Sequence, residues 1–425
     1  MLIKLIPMSF LLVFFYAHVE YGFAQPHFPS GTKNVMIAKV PGIRTHLLQN
    51  IAPIIEKSIA EGNYPGAIVL AGHHRKIIYR GIFGNERIVP TIAPMRFNTI
   101  FDIASLTKVV ATTPAIMQLV EKAKLDLDAP VAQYWPTFGI HGKEAITIRE
   151  LLTHMSGLPA DITVTNKLTD KNKILRQIEQ IKPHGTPGKY FLYSDINFIV
   201  LAHLIEIITK EDFDRYVKNH ITRPLGMKNT FFLPAKKIRD RIAPTLIVNN
   251  KLRWGEVQDP LAYAMGGIAG NAGLFSNATD LAIYSQCLLD GGLLPRQSGY
   301  LLGPLTILKM TTRQTPTHIT NMRGFGWDID SVYSNRGIFF PLSSFGHTGW
   351  TGTSLWIDPT TQTWVIILTS RVHPIPAKHN QLIQDRRTIA NIISASLTDI
   401  HTSQKNNTGP GELQRAYARR NISSK

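Results

Sequence analysis

Residues 101–108 read Phe-Asp-Ile-Ala-Ser-Leu-Thr-Lys, and a run with helical character at residues 109–124 follows directly. We therefore expect Ser105 in the first turn of a buried helix, where residues three apart share one face. Lys108 would lie beside the serine hydroxyl and could act as its base, provided that burial or nearby positive charge lowers the lysine pKa from about 10.4. Backbone N–H groups at the helix N-terminus would stabilise an oxyanion. The S-x-x-K pattern thus predicts a nucleophilic serine.

An S-x-x-K match also arises by chance, at an ordinary helix start with a solvated lysine. A second segment, Tyr-Ser-Asp at residues 193–195, leads into a strongly helical apolar run. The functional interpretation places the Tyr193 phenol near the serine and lysine, where it could relay a proton to a leaving group once cations lower its pKa. The alternatives are a packed loop aromatic for Tyr193 and a plain helix cap for Asp195.

The third segment is His-Thr-Gly at residues 347–349, just before a predicted β-hairpin. Glycines at positions 349 and 352 let a backbone approach a ligand closely. Unpaired N–H groups along a strand edge can bind an extended substrate or complete an oxyanion hole. We therefore expect this segment to border a substrate cleft.

The sequences FDIASLTK, YSD and HTG, in this order and spacing, resemble the motifs of the serine β-lactamase and penicillin-binding-protein superfamily. Three further stretches fit the same resemblance, at residues 146–159, 226–234 and 272–282. The similarity covers roughly residues 43–398. It is greatest to class C β-lactamases, their esterase relatives and D-Ala-D-Ala carboxypeptidases, in particular the penicillin-binding protein 4B type.

The resemblance implies a role for each residue of the reaction centre. Ser105 would be the acylated nucleophile, and Lys108 would activate it. Tyr193 takes the place of the tyrosine in the family's Y-x-N motif and would share general-base and proton-relay duty. The backbone N–H groups of Ser105 and Trp350 would form the oxyanion hole.

Two residues depart from the family pattern. His347, Thr348 and Gly349 stand where the family has K-T-G, so a fixed positive charge for substrate carboxylates becomes weaker and pH-dependent. Asp195 stands where class C β-lactamases have asparagine, which turns an amide donor into an acceptor or a salt-bridge partner. Both changes count against efficient β-lactamase activity, and neither prevents acyl transfer.

The predicted elements and the resemblance indicate an α/β (α+β) fold of the β-lactamase/transpeptidase type. We expect an antiparallel sheet from residues around 66–84 and 320–370, flanked by helices near the two termini. A mainly helical region is expected as an insertion at about residues 112–310, within one hydrolase domain at residues 25–400. The active site would lie at the seam between the sheet and the helical region.

Two shorter patterns belong to this sheet layer. Residues 43–59 predict one amphipathic helix from their apolar spacing. Residues 67–83 predict a hairpin whose polar tip is His73, His74 and Arg75. Adjacent side chains of a strand point to opposite faces, so we expect a turn here rather than a metal site.

Residues 1–24 predict a signal peptide, because Lys4 precedes an apolar run at residues 10–16 and small residues follow at positions 22 and 24. An uncleaved anchor is the alternative, but the run is short for a span of about 20 residues. We expect export to a bacterial periplasm or cell envelope, with no stable membrane span after cleavage. The basic segment at residues 401–425 is expected to be a disordered tail.

The chain has 46 basic and 29 acidic side chains, a formal net charge of +17. The basic residues are dispersed, and no nucleic-acid-binding motif is found, so we expect no nucleic-acid partner. Electrostatic association with an anionic cell envelope is the expected use of the charge, and solubility alone is the alternative. Cys287 is the only cysteine, which excludes an intrachain disulfide and a cysteine-based metal cluster. No metal or organic cofactor is expected.

The sequence therefore predicts an exported serine hydrolase that acts through an acyl-enzyme. The first hypothesis for its substrate is a peptidoglycan stem peptide ending in D-Ala-D-Ala, cleaved by a carboxypeptidase. A carboxylesterase or a weak β-lactamase on the same fold, with a small-molecule substrate, is the second hypothesis. A catalytically silent protein that binds the cell envelope is the third.

Overall fold

The computed structural model describes residues 31–164, 170–295, 299–376 and 379–399. The predicted signal peptide at residues 1–24 and the predicted tail at residues 401–425 lie outside these residues. Within the described ranges, no helix combines the length and the apolar character needed to cross a membrane.

One large antiparallel sheet organises the described chain. The strands are β1 (Thr32–Ile37), β2 (Gly66–His73), β3 (Lys76–Arg87), β4 (Ala93–Pro94), β5 (Phe101–Asp102), β6 (Ile247–Val248), β7 (Lys251–Leu252), β8 (Phe275–Ser276), β9 (Met322–Arg323), β10 (Asp328–Asp330), β11 (Phe345–Thr348), β12 (Ser354–Asp358) and β13 (Thr363–Thr369). The large sheet has the order β1-β3-β2-β13-β12-β11-β10-β9, with β4 paired to β3. Strands β5 and β8 form one small pair, and β6 and β7 form another.

Helices cover both faces of the large sheet. They are α1 (Thr45–Leu48), α2 (Ile51–Ala60), α3 (Thr113–Glu121), α4 (Ile148–Leu152), α5 (Lys171–Gln180), α6 (Asp195–Thr209), α7 (Phe213–Val217), α8 (Arg223–Leu225), α9 (Pro260–Ala264), α10 (Ala278–Leu289), α11 (Pro304–Thr311) and α12 (His379–Ser396). Helices α3 to α11 occupy the part of the chain where the sequence predicts a helical insertion. The predicted antiparallel sheet flanked by helices is confirmed.

The side-chain alternation of the strands separates two hydrophobic cores. Along β2, Ile68 and Leu70 enter the larger core, which also contains α3, α6 and α10. Val69 and Ala71 enter the smaller core on the opposite face, with α2 and α12. The sheet is therefore buried on both faces, and the two terminal helices pack on the side away from the helical region.

The structure differs from the sequence prediction in one helix and adds one strand that was not predicted. The helix expected at residues 43–59 is split into α1 and α2, because Pro53 lacks the N–H that a continuous helix would use there. Helix α2 begins two residues before Pro53, so the proline lies in its first turn. A backbone N–H at that position has no partner within the helix, and its absence therefore costs no helical hydrogen bond. The edge strand β1 was not predicted, since its sequence TKNVMI has no regular alternation of apolar and polar residues.

His373 follows β13 and is held in its neutral form. Its Nε2 accepts a hydrogen bond from the N–H of Ile88 at 3.1 Å, and its Nδ1 donates to the carbonyl of Thr245 at 2.8 Å. Burial lowers the pKa of this imidazole to about 4. Between about pH 6.5 and pH 4, His373 is therefore protonated in the unfolded chain and neutral in the folded chain.

Because of this difference, we expect His373 to lower the free energy of unfolding as the pH decreases. Between about pH 6.5 and pH 4 the unfolded state binds the extra proton, so the free energy of unfolding should fall by about 1.4 kcal/mol per pH unit from this group as the pH decreases. A His373→Gln variant keeps a donor and an acceptor but does not titrate. Urea unfolding at pH 7, 6 and 5 should show a smaller pH slope for the variant, and equal slopes would contradict the assignment.

Candidate active site

The turn that carries Ser105 is fixed by a buried carboxylate. Asp102, the last residue of β5, accepts hydrogen bonds from the N–H groups of Ala104 at 2.9 Å and Gln258 at 2.6 Å. Ala104 has a left-handed φ of 45°, which turns the chain sharply out of the strand. Burial raises the pKa of Asp102 to about 6, and the two N–H groups oppose that rise. The strained turn presents Ser105, half-buried, at the start of the following helix.

Lys108 lies beside the serine, as the i, i+3 spacing predicts. Its Nζ is 3.0 Å from the Ser105 Oγ and also donates to the carbonyl of Asn271 at 3.0 Å. The lysine side chain is completely buried. It opens a π-helical turn, Lys108–Thr112, that continues into α3, whereas the sequence predicted an uninterrupted helix. Such wide turns occur often at functional sites.

The pKa of Lys108 does not shift in the direction that would favour a basic amine at rest. Burial does lower it, but the carboxylate of Asp195 and the Tyr193 side chain outweigh burial, and the pKa is raised. Asp195 Oδ1 lies 2.5 Å from the Lys108 Nζ. The resting site therefore contains a lysine cation and an aspartate anion in direct contact.

Tyr193 completes the centre. Its side chain lies beside those of Lys108 and Ser105, and the Lys108 Nζ is 5.0 Å from the centroid of its ring. Burial raises the pKa of the phenol, and the nearby lysine cation only partly opposes that rise. The resting Tyr193 is a neutral hydroxyl that touches the nucleophile and its lysine.

His154 supports the tyrosine from beneath. The two rings stack with centroids 4.4 Å apart. His154 Nδ1 accepts a hydrogen bond from the N–H of Ser194 at 3.0 Å, and the Ser194 hydroxyl donates to the carbonyl of Pro159 at 2.6 Å. Burial lowers the pKa of His154 well below its usual range. It packs against the Tyr193 ring and bonds to the neighbouring backbone, and thereby positions Tyr193.

His347 does not supply the pH-dependent charge that the sequence suggested. It is buried on β11, its ring lies 6.0 Å from that of Tyr193, and its Nδ1 donates to the carbonyl of Thr348 at 2.9 Å. Burial, followed by the cations of Arg323 and Lys108, lowers its pKa well below the usual range. His347 is neutral near pH 7, because a buried imidazolium beside two cations would be strongly unfavourable.

Arg323 is a cation that the sequence analysis missed. Its guanidinium carbon lies 5.8 Å from the centroid of the Tyr193 ring, and its side chain is only 1% exposed. It donates to the carbonyl of Gly326 at 3.0 Å and lies 3.7 Å from a carboxylate oxygen of Asp328. The sequence feature that could have pointed to Arg323 is its position at the start of the glycine-rich stretch RGFGW, at residues 323–327.

Hydrogen bonds join the segment after β11 to the turn at residues 102–105. We call this the nucleophile turn, because it carries the predicted nucleophile Ser105. The hydroxyl of Thr351 donates to the carbonyl of Asp102 at 2.8 Å, and that of Thr353 donates to the carbonyl of Ile103 at 3.1 Å. A Cβ added at Gly349 would lie 2.6 Å from the Ile103 carbonyl oxygen. Glycine at 349 therefore permits the close approach of this backbone to the turn.

Aromatic side chains and carboxylates surround the centre. The side chain of Trp350 is 53% exposed and that of Tyr333 is 49% exposed, with the Tyr333 ring 5.6 Å from that of Tyr193. On the lysine side, burial and neighbouring carboxylates raise the pKa of Asp161 to about 7 and that of Asp259 to about 6. The sequence analysis missed these two aspartates. Among the described residues, no converging set of metal ligands includes them.

A Gly349→Ala substitution should move the strand away from Ser105. The added methyl would collide with the Ile103 carbonyl and the Thr353 hydroxyl, so we expect kcat/KM to fall by about 100-fold, as for misplacements of about 1 Å. Gly185→Ala is the matched control, because its nearest contact would be an ordinary 3.4 Å to Tyr190. Ester hydrolysis and thermal melting measure the effect, and equal rates for the two variants would contradict the proposed geometry.

An Asp195→Asn substitution should lower the Lys108 pKa, because the carboxylate is the main group that raises it. If the neutral amine is the active base, activity increases as Lys108 loses its proton, and the midpoint of this increase should move to lower pH. The measurement is kcat/KM between pH 5 and pH 10. Asp170→Asn, at the exposed start of α5, is the control. An unchanged or higher midpoint would exclude this coupling.

Comparisons with known proteins agree with this arrangement. A family model described as beta-lactamase matches residues 51–388. A protein of Escherichia coli O157:H7 named "Putative D-alanyl-D-alanine carboxypeptidase" is 32% identical over 354 residues, which cover 74% of this chain and 80% of that protein.

Two solved structures are similar in fold. A penicillin-binding protein homologue from Caulobacter crescentus has a TM-score of 0.67 at 20% identity, over 85% of this chain and 99% of that one. EstCE1, a hydrolase with promiscuous acyltransferase activity, has a TM-score of 0.64 at 22% identity, over 80% of this chain and 98% of that one. At these identities the two similarities establish the fold alone.

Proposed function

Because this chain belongs to the beta-lactamase family of serine hydrolases, we propose that it works through an acyl-enzyme on Ser105. The observation that carries the proposal is the 3.0 Å contact between the Ser105 hydroxyl and the Lys108 amine. A serine hydroxyl needs such a partner, since it is a weak nucleophile at its free pKa. Burial of the lysine and the Tyr193 hydroxyl complete the arrangement.

The proton chemistry follows from the contact of Lys108 with Asp195. Loss of a proton to solvent converts the Lys108 ammonium into a neutral amine, and the Asp195 carboxylate disfavours this loss. The amine then takes the proton of Ser105 as its oxygen attacks the substrate carbonyl carbon. Tyr193, which lies beside both side chains, delivers a proton to the leaving group when the tetrahedral intermediate collapses and regains one from the Lys108 ammonium.

Water completes the cycle in the reverse sense. It attacks the acyl carbon, the same basic groups accept its proton, and they return that proton to the Ser105 oxygen as its bond to the acyl carbon breaks. We assign the oxyanion hole to the N–H groups of Ser105 and Trp350. The close approach of Gly349 to the nucleophile turn supports this assignment, because it brings the two backbones side by side.

For the substrate, we propose a peptide that ends in D-Ala-D-Ala, cleaved by a carboxypeptidase at the bacterial envelope. The name of the relative from Escherichia coli, the predicted signal peptide and the net charge of +17 support this choice. The carboxylate of such a peptide would meet a positive potential from Arg323, while His347 is neutral. The same potential and the dispersed basic surface favour association with an anionic envelope.

A carboxylesterase is the second candidate, and the neutral His347 favours it. Without a charged group in the strand position of the family's lysine, the site holds a substrate carboxylate less firmly. The exposed rings of Trp350 and Tyr333 would suit an uncharged acyl or alcohol group.

The deciding measurement is intact-mass spectrometry of the wild type, Ser105→Ala and Ser394→Ala after incubation with benzylpenicillin. Ser394 is a matched control because its hydroxyl bonds only within α12. We expect a penicilloyl adduct on the wild type and on Ser394→Ala, and none on Ser105→Ala, which lacks the nucleophile. Release of D-alanine from an acyl-D-Ala-D-Ala peptide should follow the same pattern.

Other outcomes would redirect the proposal. Rapid turnover of p-nitrophenyl esters, with neither adduct nor D-alanine release, would identify an esterase. Hydrolysis of the penicillin would identify a β-lactamase. Full activity of Ser105→Ala would refute the mechanism, and inactivity of the wild type towards all three substrates would favour an envelope-binding protein.

A further inference from the structure

Three potential metal ligands meet at the tip of the β2–β3 hairpin: His73, His74 and Asp399. His73 Nε2 lies 3.0 Å from Asp399 Oδ1, and His74 Nε2 lies 3.9 Å from Asp399 Oδ2. The two imidazole rings are 4.2 Å apart. We propose that these side chains bind a divalent first-row transition-metal ion of the zinc, nickel or cobalt type.

The hydrogen bonds of His73 point to a cation at this place. The Thr363 hydroxyl donates its single hydrogen to the carbonyl of Thr361 at 3.1 Å, so it accepts the bond that joins it to His73 Nδ1 at 2.8 Å. Nδ1 therefore carries the ring hydrogen of the neutral imidazole, and the lone pair of Nε2 faces the carboxylate of Asp399. An imidazole nitrogen and a carboxylate oxygen 3.0 Å apart are well placed to bind one metal ion together.

The arrangement matches what metal-binding histidines need. A ligating imidazole usually donates its other N–H to a polar group that fixes its tautomer and orientation, and Thr363 does this for His73. The ligand atoms of the three residues all lie within 4.8 Å of one another. An ion with bonds of about 2.0–2.2 Å fits among donors at this spacing after small adjustments. Two imidazoles and a carboxylate suit zinc, nickel and cobalt.

The access and shape of the site are also suitable. The side chain of His73 is 1% exposed, whereas those of His74 and Asp399 are 52% and 36% exposed, so an ion could enter from solvent and retain water ligands. Gly42, with φ of 83°, makes room for the aspartate, since an added Cβ would lie 2.4 Å from the Asp399 carboxyl carbon. The backbone N–H of Thr398 also donates to the Gly42 carbonyl at 2.8 Å.

Neighbouring side chains of a strand diverge, and on this ground the sequence predicts no metal site at the hairpin tip. His73 ends β2, but His74 has φ of 46° and belongs to the turn, so the strand rule does not apply to it. The bound ion would fasten the segment after α12 to the hairpin. Ser105, Lys108 and Tyr193 have no bond to this cluster, so the ion would act on stability and not on the reaction.

The test measures zinc binding to the full chain by isothermal titration calorimetry. Thermal melting with and without zinc ion then measures the effect of the ion on stability. The variants are His74→Asn and Asp399→Asn, whose exposed side chains leave the core intact. His318→Asn, at an exposed histidine of the loop between α11 and β9, is the control. We expect one zinc ion per chain and a zinc-dependent rise in melting temperature for the wild type and the control. Both ligand variants should bind at least tenfold more weakly.

Cobalt provides an independent readout, because its visible absorption reports the ligand geometry. Equal zinc affinity in the wild type and both ligand variants would overturn the proposal, as would a wild type that binds no zinc at micromolar concentration. The second result would leave His73 and Asp399 joined by a hydrogen bond alone. Ester hydrolysis should be unaffected by either substitution or by a chelator, and loss of activity would contradict a purely structural ion.

Discussion

The burial of the Lys108 ammonium is the constraint on which the reaction centre depends. Removing such an ion from water costs several kcal/mol, and only a close counter-charge with good geometry can offset this cost. Asp195 provides that charge from the first residue of α6, where backbone N–H groups also favour an anion. The position of α6 relative to the nucleophile turn is therefore an electrostatic requirement as well as a matter of apolar packing.

The same cation determines the protonation of its neighbours. His154 and His347 are both buried near Lys108 and Arg323, and both are kept neutral by burial and by these charges. His154 stacks on Tyr193 and accepts a hydrogen bond from the Ser194 N–H, and His347 donates one to the Thr348 carbonyl, neither adding a charge. The site thus combines two fixed cations with a group of carboxylates, and its histidines serve as neutral supports for Tyr193.

Local patterns predicted much of this molecule. The spacing of Ser105 and Lys108 was sufficient to place their side chains in contact, because an i, i+3 relation depends only on backbone geometry. The hairpins at the centre of the sheet were equally local. The pKa direction of Lys108 could not be predicted in this way, since it depends on how closely α6 approaches. Arg323 was missed for the same reason: its importance comes from its distance to Tyr193, and the two residues lie far apart in the sequence.

The sheet order has a consequence for how the protein is made. Strand β2 pairs with β13, in register from His73 opposite Thr363 to Ala67 opposite Thr369. The partner of this central strand is therefore synthesised nearly 300 residues later. Until then its edge is open to pairing with other chains. Contacts of such long range also slow folding. A nascent chain thus has no complete nucleophile pocket, because the segment after β11 that closes it is also synthesised late.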